Sequence, residues 1–187
     1  MKKIASIVIL LTVFISSGWT EKAKANAFSE FPEALGFYYG MISGTGLTYH
    51  RWDNNRGYQI TAGALYLPPE AGNMNILDYV VGFENQYVVY SEDFTGWLSG
   101  LLSLFWGINH RGYIPVEYNY DTDTSTIGSY VPTFTLGGGI GIEVLGFKHF
   151  SFPFEVGYGA TYLPLADRVA DMFLVDLYFQ AGFRYRY

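Results

Sequence analysis

FLVDLYFQAGFRYRY, residues 173–187, alternates by side almost without exception. Phe173, Val175, Leu177, Phe179, Ala181, Phe183, Tyr185 and Tyr187 are apolar or aromatic, and between them stand Asp176, Gln180, Arg184 and Arg186, with Leu174, Tyr178 and Gly182. A strand points successive side chains to opposite faces, so one face here is wholly greasy and the other largely polar. Strands of soluble sheets usually run about 3–10 residues. A tilted strand crossing a bilayer needs about 9–11 residues in the hydrocarbon and more at the rims, which suits a stretch of this length.

The other end of the chain reads differently. Lys2 and Lys3 precede an uncharged stretch, 4–20, centred on Ile7-Val8-Ile9-Leu10-Leu11, and small residues follow at Ala23, Ala25 and Ala27. A positive n-region, an apolar h-region and an A-x-A pattern together predict a secretory signal peptide over 1–27, cleaved after Ala25 or Ala27, with Ala27 favoured. Residues 28–187 are then a single domain by length. No cysteine follows the h-region, which excludes a lipid-anchored lipoprotein, and the absence of cysteine leaves stability to the sheet itself. Removing 1–27 takes away four lysines and one glutamate, so the formal net charge falls from −6 to −9. Such a chain is a poor partner for nucleic acid, which is bound by Lys and Arg neutralising phosphates.

Half of the chain is hydrophobic and 19% is aromatic. Beyond the predicted signal peptide, however, no apolar run approaches the roughly 18–20 residues of a membrane helix. Seventeen Tyr, fifteen Phe and twenty-two Gly, punctuated by Asn, Asp and Pro, favour strands and turns. Alternation predicts eight strands, at 36–52, 58–67, 76–90, 97–108, 113–120, 133–144, 151–162 and 173–187. Between them, 53–57, 91–96, 109–112, 121–129, 146–149 and 164–172 read as connections, and Pro68-Pro69 ends the second strand because proline cannot donate to a ladder. Taking odd connections as outward, 109–112 and 146–149 are short inner turns, 121–129 and 164–172 are long outer loops, and 68–75 is an anomalously long inner one.

The polar face carries Gly, Thr and Ser with few charges: between 130 and 163 only Glu143 and Glu155 are charged on it. That is too little charge to cover a soluble β-sandwich or lipocalin-like barrel, and it suits a narrow lumen. The predicted fold is therefore all-β, an antiparallel up-and-down transmembrane barrel. Aromatics near strand ends, among them Trp52, Tyr58, Tyr66, Tyr90, Trp97, Tyr120, Tyr130, Tyr162 and Tyr187, are placed as interfacial girdles.

The terminal strand resembles that of bacterial outer-membrane β-barrels, where alternating hydrophobics close on a carboxy-terminal aromatic; the small eight-stranded members of that family match the strand count. The resemblance implies that Phe183, Tyr185 and Tyr187 form a signal read by the barrel assembly machinery. It further implies that outer-membrane lipid surrounds the greasy face, and that the location is the outer membrane of a Gram-negative-type bacterium.

Eight strands leave an interior that side chains just fill. The inward-facing set comprises His50, Asp78, Glu84, Glu117, Glu143, Glu155, Asp176, Arg184 and Arg186. Buried carboxylates need cations or donors nearby, and a hairpin symmetric about His149 sets Glu143 opposite Glu155, within reach of Arg184. The expectation is an internal polar network that rigidifies and plugs the barrel; the functional alternative is a carboxylate-lined cation path. His149-Phe150-Ser151 resembles the His-x-Ser element of outer-membrane lipid A deacylase barrels, but no Asn follows Ser151 and the turn position is remote from outer-leaflet lipid. No spacing of His, Asp and Glu suggests zinc. Asp121-x-Asp123-x-Ser125 starts like a calcium loop but lacks the glycine and the closing glutamate, so neither metal nor cofactor is expected. Three functions are carried forward: a structural or surface-interaction role in the envelope, a narrow transporter for small or hydrophobic solutes through the lumen or a lateral gap, and a lipid-modifying hydrolase.

Overall fold

The structure, a computed structural model, describes residues 27–67, 75–119, 124–163 and 172–187. The predicted signal peptide lies outside them, except for Ala27. A four-residue helix α1 (Ala27–Glu30) precedes nine strands: β1 (Glu33–Tyr39), β2 (Gly46–Asp53), β3 (Arg56–Tyr66), β4 (Asn75–Thr95), β5 (Leu98–Asn119), β6 (Thr124–Ile127), β7 (Val131–Gly146), β8 (Phe150–Leu163) and β9 (Met172–Arg186). All described pairings are antiparallel. Eight strands close a ring in the order β1-β2-β3-β4-β5-β7-β8-β9, with β9 returning to β1, while β6 only extends the far end of β5.

The ring has the expected number of strands, but two divisions differ and offset each other. The stretch 36–52 is not one strand. Its residues 40–45 leave the sheet, and β1 turns back on β2 with Phe37 opposite Leu47. Conversely, 109–112 is no turn: β5 runs through it, with Asn109 opposite Gly82 and Gly112 opposite Tyr79. The polar residues that imitate a turn have partners in the wall. Arg111 pairs with Asp78, and the His110 ring lies 4.6 Å from that of Phe134, with Tyr79 and Tyr130 bonded to its Nε2. The stretch 91–96 is likewise mostly strand, since β4 continues to Thr95 past a register shift between Val88 and Tyr90.

This redivision moves the first three connections, 53–57, 68–75 and 91–96, to the opposite end of the barrel and leaves the later ones where alternation put them. Both described termini and the connections at 54–55, 96–97 and 147–149 share one end, where Tyr187 N donates to Glu33 O at 2.9 Å. The longer connections, including the one through 68–74, share the other. The apparent anomaly of a long connection at Pro68 disappears. In the 147–149 turn, Phe147 and Lys148 take φ of 50° and 66°, and the hairpin is centred on Lys148 rather than His149. Glu143 therefore faces Pro153, and Glu155 faces Gly141.

Outward positions are apolar around the whole ring, with Leu47 76%, Phe179 70% and Val175 73% exposed. An apolar belt of this extent has no place on a water-soluble monomer. Most expected girdle aromatics lie on this outer face at the rims, among them Tyr66, Trp97, Tyr130 and Tyr187. Trp52 is the exception: it is buried in the lumen. Tyr120 lies outside the described residues.

The bend between β1 and β2 depends on glycine. Gly44 and Gly46 have φ of +89° and +142°, and a Cβ on Gly46 would stand 2.2 Å from the Ala62 carbonyl oxygen. Gly46→Ala should therefore lower stability by about 1–3 kcal/mol, measured by unfolding in detergent or vesicles. Gly96→Ala, where a Cβ meets nothing within 4 Å, should stay near the parent; equal stability of the two variants would contradict the strained bend.

Candidate functional site

The barrel interior is filled in layers. At the terminus end, Phe28 of α1 enters the lumen and packs with Trp52, Leu101 and Leu145, with Val88 beside them. This apolar seal was not expected on a face read as polar. Above it lies the charged layer. Arg186 sits 5.1 Å over the Phe28 ring and donates through Nη2 to Glu143 Oε1 at 2.6 Å, while its Nη1 reaches the carbonyls of Phe31 and Pro32. Arg184 Nη1 lies 3.6 Å from Glu143 Oε1, and its Nη2 donates to Gln59. Ser151 adds a hydroxyl to Glu143, and His50 Nδ1 faces Arg186 Nη2 at 3.4 Å. One carboxylate thus answers two guanidinium groups, all of them buried.

His50 Nε2 meets Gln86 Oε1 at 3.0 Å and links this layer to the next. There Gln86 Nε2 donates to both Glu84 and Glu155. Glu155 also accepts from the Tyr38 hydroxyl and from Gln180 Nε2, the latter at 2.9 Å. Glu84 accepts from Ser43. No guanidinium lies in salt-bridge contact with Glu84 or Glu155 among the described residues; neutral donors satisfy both.

The fourth layer is backbone. Residues 40–45 cross the lumen, and Ile42 and Ser43 are fully buried. Gln180 Oε1 accepts from Ile42 N at 2.8 Å and Ser43 N at 3.0 Å, and Asn109 donates to the Met41 and Ile42 carbonyls. The amide side chains thus replace the ladder partners that the segment gave up on leaving the sheet. Gly107, Gly137 and Gly159 provide the space: a Cβ on any of them would approach the Ile42 side chain to 3.2, 2.9 and 3.2 Å. The glycine-rich inner face of β7 and β8 is in part a socket for this side chain.

Above the bend most described inward side chains are only half-buried, and they line a vestibule. Arg111 clamps Asp78, with Nε donating to Oδ1 at 2.8 Å, and Thr135, Thr161 and Tyr178 form a chain of hydroxyls at 2.9 and 3.3 Å.

Of the residues singled out from the sequence, His50, Glu143, Arg184 and Arg186 come together, whereas Glu155 lies in the neighbouring layer. Glu143 and Glu155 do not face one another, and Arg184 serves Glu143 and Gln59, because the turn is one residue earlier than symmetry about His149 requires. Asp176 has inward register, opposite Gly159, but is exposed near the rim and accepts from Leu177 N. Glu117 pairs with Thr126 in the extension of β5; its side chain lies outside the described residues. Phe183, Tyr185 and Tyr187 point outward. Gln59, Gln86, Gln180 and Tyr38 stand at inward parity, which is the available signal for them; Ser43 gives none, because it lies in the bend.

His149 and Ser151 are held apart. The His149 ring stacks on Tyr185 at 5.2 Å with Nδ1 against Arg186 O at 2.7 Å, outside the lumen, while Ser151 is buried against Glu143. Asp121 and Asp123 lie outside the described residues. Among the described residues no group of three His, Asp or Glu is placed to hold a metal ion.

Removing one partner of a buried ion pair leaves an uncompensated charge, at a cost of about 3–5 kcal/mol. Glu143→Gln should therefore destabilise the barrel by that order, whereas Glu155→Gln, which exchanges one neutral-donor network for another, should cost about 1 kcal/mol or less. Reversible unfolding of the reconstituted protein checks both; a larger loss from Glu155→Gln would contradict the division into layers.

No family model matches the chain, and no curated protein matches it. Among solved structures, the N-terminal β-barrel domain of Pseudomonas aeruginosa OprF is similar with a TM-score of 0.45 and 8% sequence identity, over 83% of this chain and 95% of that one. The barrel architecture here stands on the strand pairing itself.

Proposed function

We propose that the chain is an outer-membrane β-barrel with a structural or surface-interaction role in the envelope, anchored by its apolar belt and presenting its longer connections at one end. The belt supports the membrane location: in a bilayer every backbone polar group must be satisfied within the sheet, and a closed barrel does this with greasy side chains outward. The sealed lumen is the observation that carries the role. The α1 apolar cluster, the Arg–Glu layer, the amide–carboxylate layer and the inward bend lie in succession across the bore.

That succession disfavours a transporter through the lumen, since passage requires four interlocked layers to part. It also leaves the hydrolase reading without an assembled His–Ser pair. The predicted signal peptide and the terminal aromatics fit export and assembly as the family resemblance implies.

The protein should fractionate with the outer membrane, show heat-modifiable migration in detergent gels and give no steady conductance in planar bilayers. Val156 lies on the outer face between Ile140 and Phe179, and Val156→Arg should cost about 2–4 kcal/mol in vesicle unfolding if it faces the hydrocarbon midplane. Recovery as a soluble protein, or a Val156→Arg variant as stable as the parent, would overturn the membrane reading; a stable open pore would overturn the structural role.

A further inference from the structure

The wall of the barrel is not equally tall all round. β9 pairs with β1 only from Ala181 to Arg186, and β3 pairs with β2 only from Arg56 to Ala62. Above that level β9 keeps β8 on one side, and β3 keeps β4, but neither has a described strand on the other. The two strands that would fill the space stop short, because residues 40–45 turn into the lumen. Among the described residues the upper barrel is thus a wall of six strands, β3-β4-β5-β7-β8-β9, with a notch where β1 and β2 end. Two absent strands leave β9 and β3 separated by about three interstrand spacings, roughly 14 Å between backbones.

The notch lies within the apolar belt. Beside it on β9 the outward residues Phe173, Val175 and Phe179 are 70–73% exposed, and Tyr39 at the end of β1 is 60% exposed. The vestibule behind it has apolar groups where the two side-chain layers beneath the bend are polar. Leu65 and Leu174, opposite the inward Asp78 and Thr161, flank the notch from inside and remain 56% and 42% exposed; Val80 stands on β4, next to the β3 edge. Deeper in are the hydroxyls of Thr135, Thr161 and Tyr178 and the Arg111–Asp78 pair. A free strand edge cannot face bare hydrocarbon and is tolerated where it borders a polar cavity. The vestibule is that cavity, so the notch is a boundary with backbone groups and hydroxyls on one side and lipid chains on the other.

We infer that the notch and vestibule form a binding site for a single-chain amphiphile drawn laterally from the bilayer, its hydrocarbon chain lying across the notch against Leu65, Val80 and Leu174 and its polar head among the Thr135, Thr161 and Tyr178 hydroxyls. The sealed layers below make this a dead-end site entered from the membrane, not a pore. The inference rests on the membrane location proposed above.

The chain has no cysteine, so single-cysteine variants can carry a fluorophore at one position each. Val80→Cys and Thr161→Cys place reporters in the vestibule, and Phe179→Cys places one on the outer face. Each labelled protein, checked for heat-modifiable migration, is reconstituted into phosphatidylcholine vesicles doped with a single-chain bromolipid, a fatty acid whose chain carries bromine, a contact quencher, and separately exposed to aqueous iodide. The bromolipid should remove most of the fluorescence at Phe179 and, comparably, at Val80 and Thr161. Quenching of Phe179 by bromolipid with Val80 and Thr161 quenched by iodide alone would overturn the lateral site and leave the membrane location standing. Absence of bromolipid quenching at all three would overturn the membrane location and the site with it.

Discussion

Two guanidinium groups and one carboxylate, buried together inside a narrow barrel, set the terms for the rest of the molecule. Arg184 and Arg186 come from β9 and Glu143 from β7, strands that are not neighbours in the ring. The bond between them passes inside the lumen in front of β8, the strand that separates them. Charges removed from water are costly unless their remaining hydrogen-bonding capacity is met, and that need recruits His50, Ser151, Gln59 and the carbonyls of Phe31 and Pro32. The pairing fixes the terminus end from within, while the apolar cluster around Phe28 shields it from bulk water.

The half-height hairpin of β1 and β2 is the second determinant. Had both strands matched the length of β9, the ring would have been complete to its rim and the lumen above Glu155 would have needed other filling. Instead the chain itself fills it. The same six residues, 40–45, close the bore and open the wall, and glycines at Gly44 and Gly46 permit the path while those at Gly107, Gly137 and Gly159 give it space. Closure toward solutes and opening toward the side are thus one structural event.

The two faces of the barrel were legible because alternation is a local property. Every outward residue of β9, from Phe173 to Tyr185, lies where its parity places it. The strand divisions were less legible, for a reason that parity also explains. β1 points Leu35, Phe37 and Tyr39 outward and β2 points Leu47 and Tyr49 outward, so the inward bend preserves odd parity and leaves no phase break to mark it. In β5 parity continues unbroken through Asn109, His110, Arg111 and Gly112, but the polar composition outweighed it. Those side chains are stabilised by Asp78, Phe134, Tyr79 and Tyr130, strands away in sequence. The layers of the network escaped prediction in the same way: the residue opposite Glu143 depends on a turn centred at Lys148 whose positive φ angles fall on Phe147 and Lys148, residues with no turn signature.

The central claim is that the bend between β1 and β2 lies inside the lumen and seals it. Hydrogen exchange of the Ile42 and Ser43 amides in the vesicle-reconstituted protein tests this most directly, because both are bonded to Gln180 and fully buried. They should exchange as slowly as amides in the paired part of β9 and become fast in a Gln180→Ala variant that retains the barrel. Exchange in the parent as fast as that of an exposed loop would place the segment outside the lumen and contradict the sealed interior.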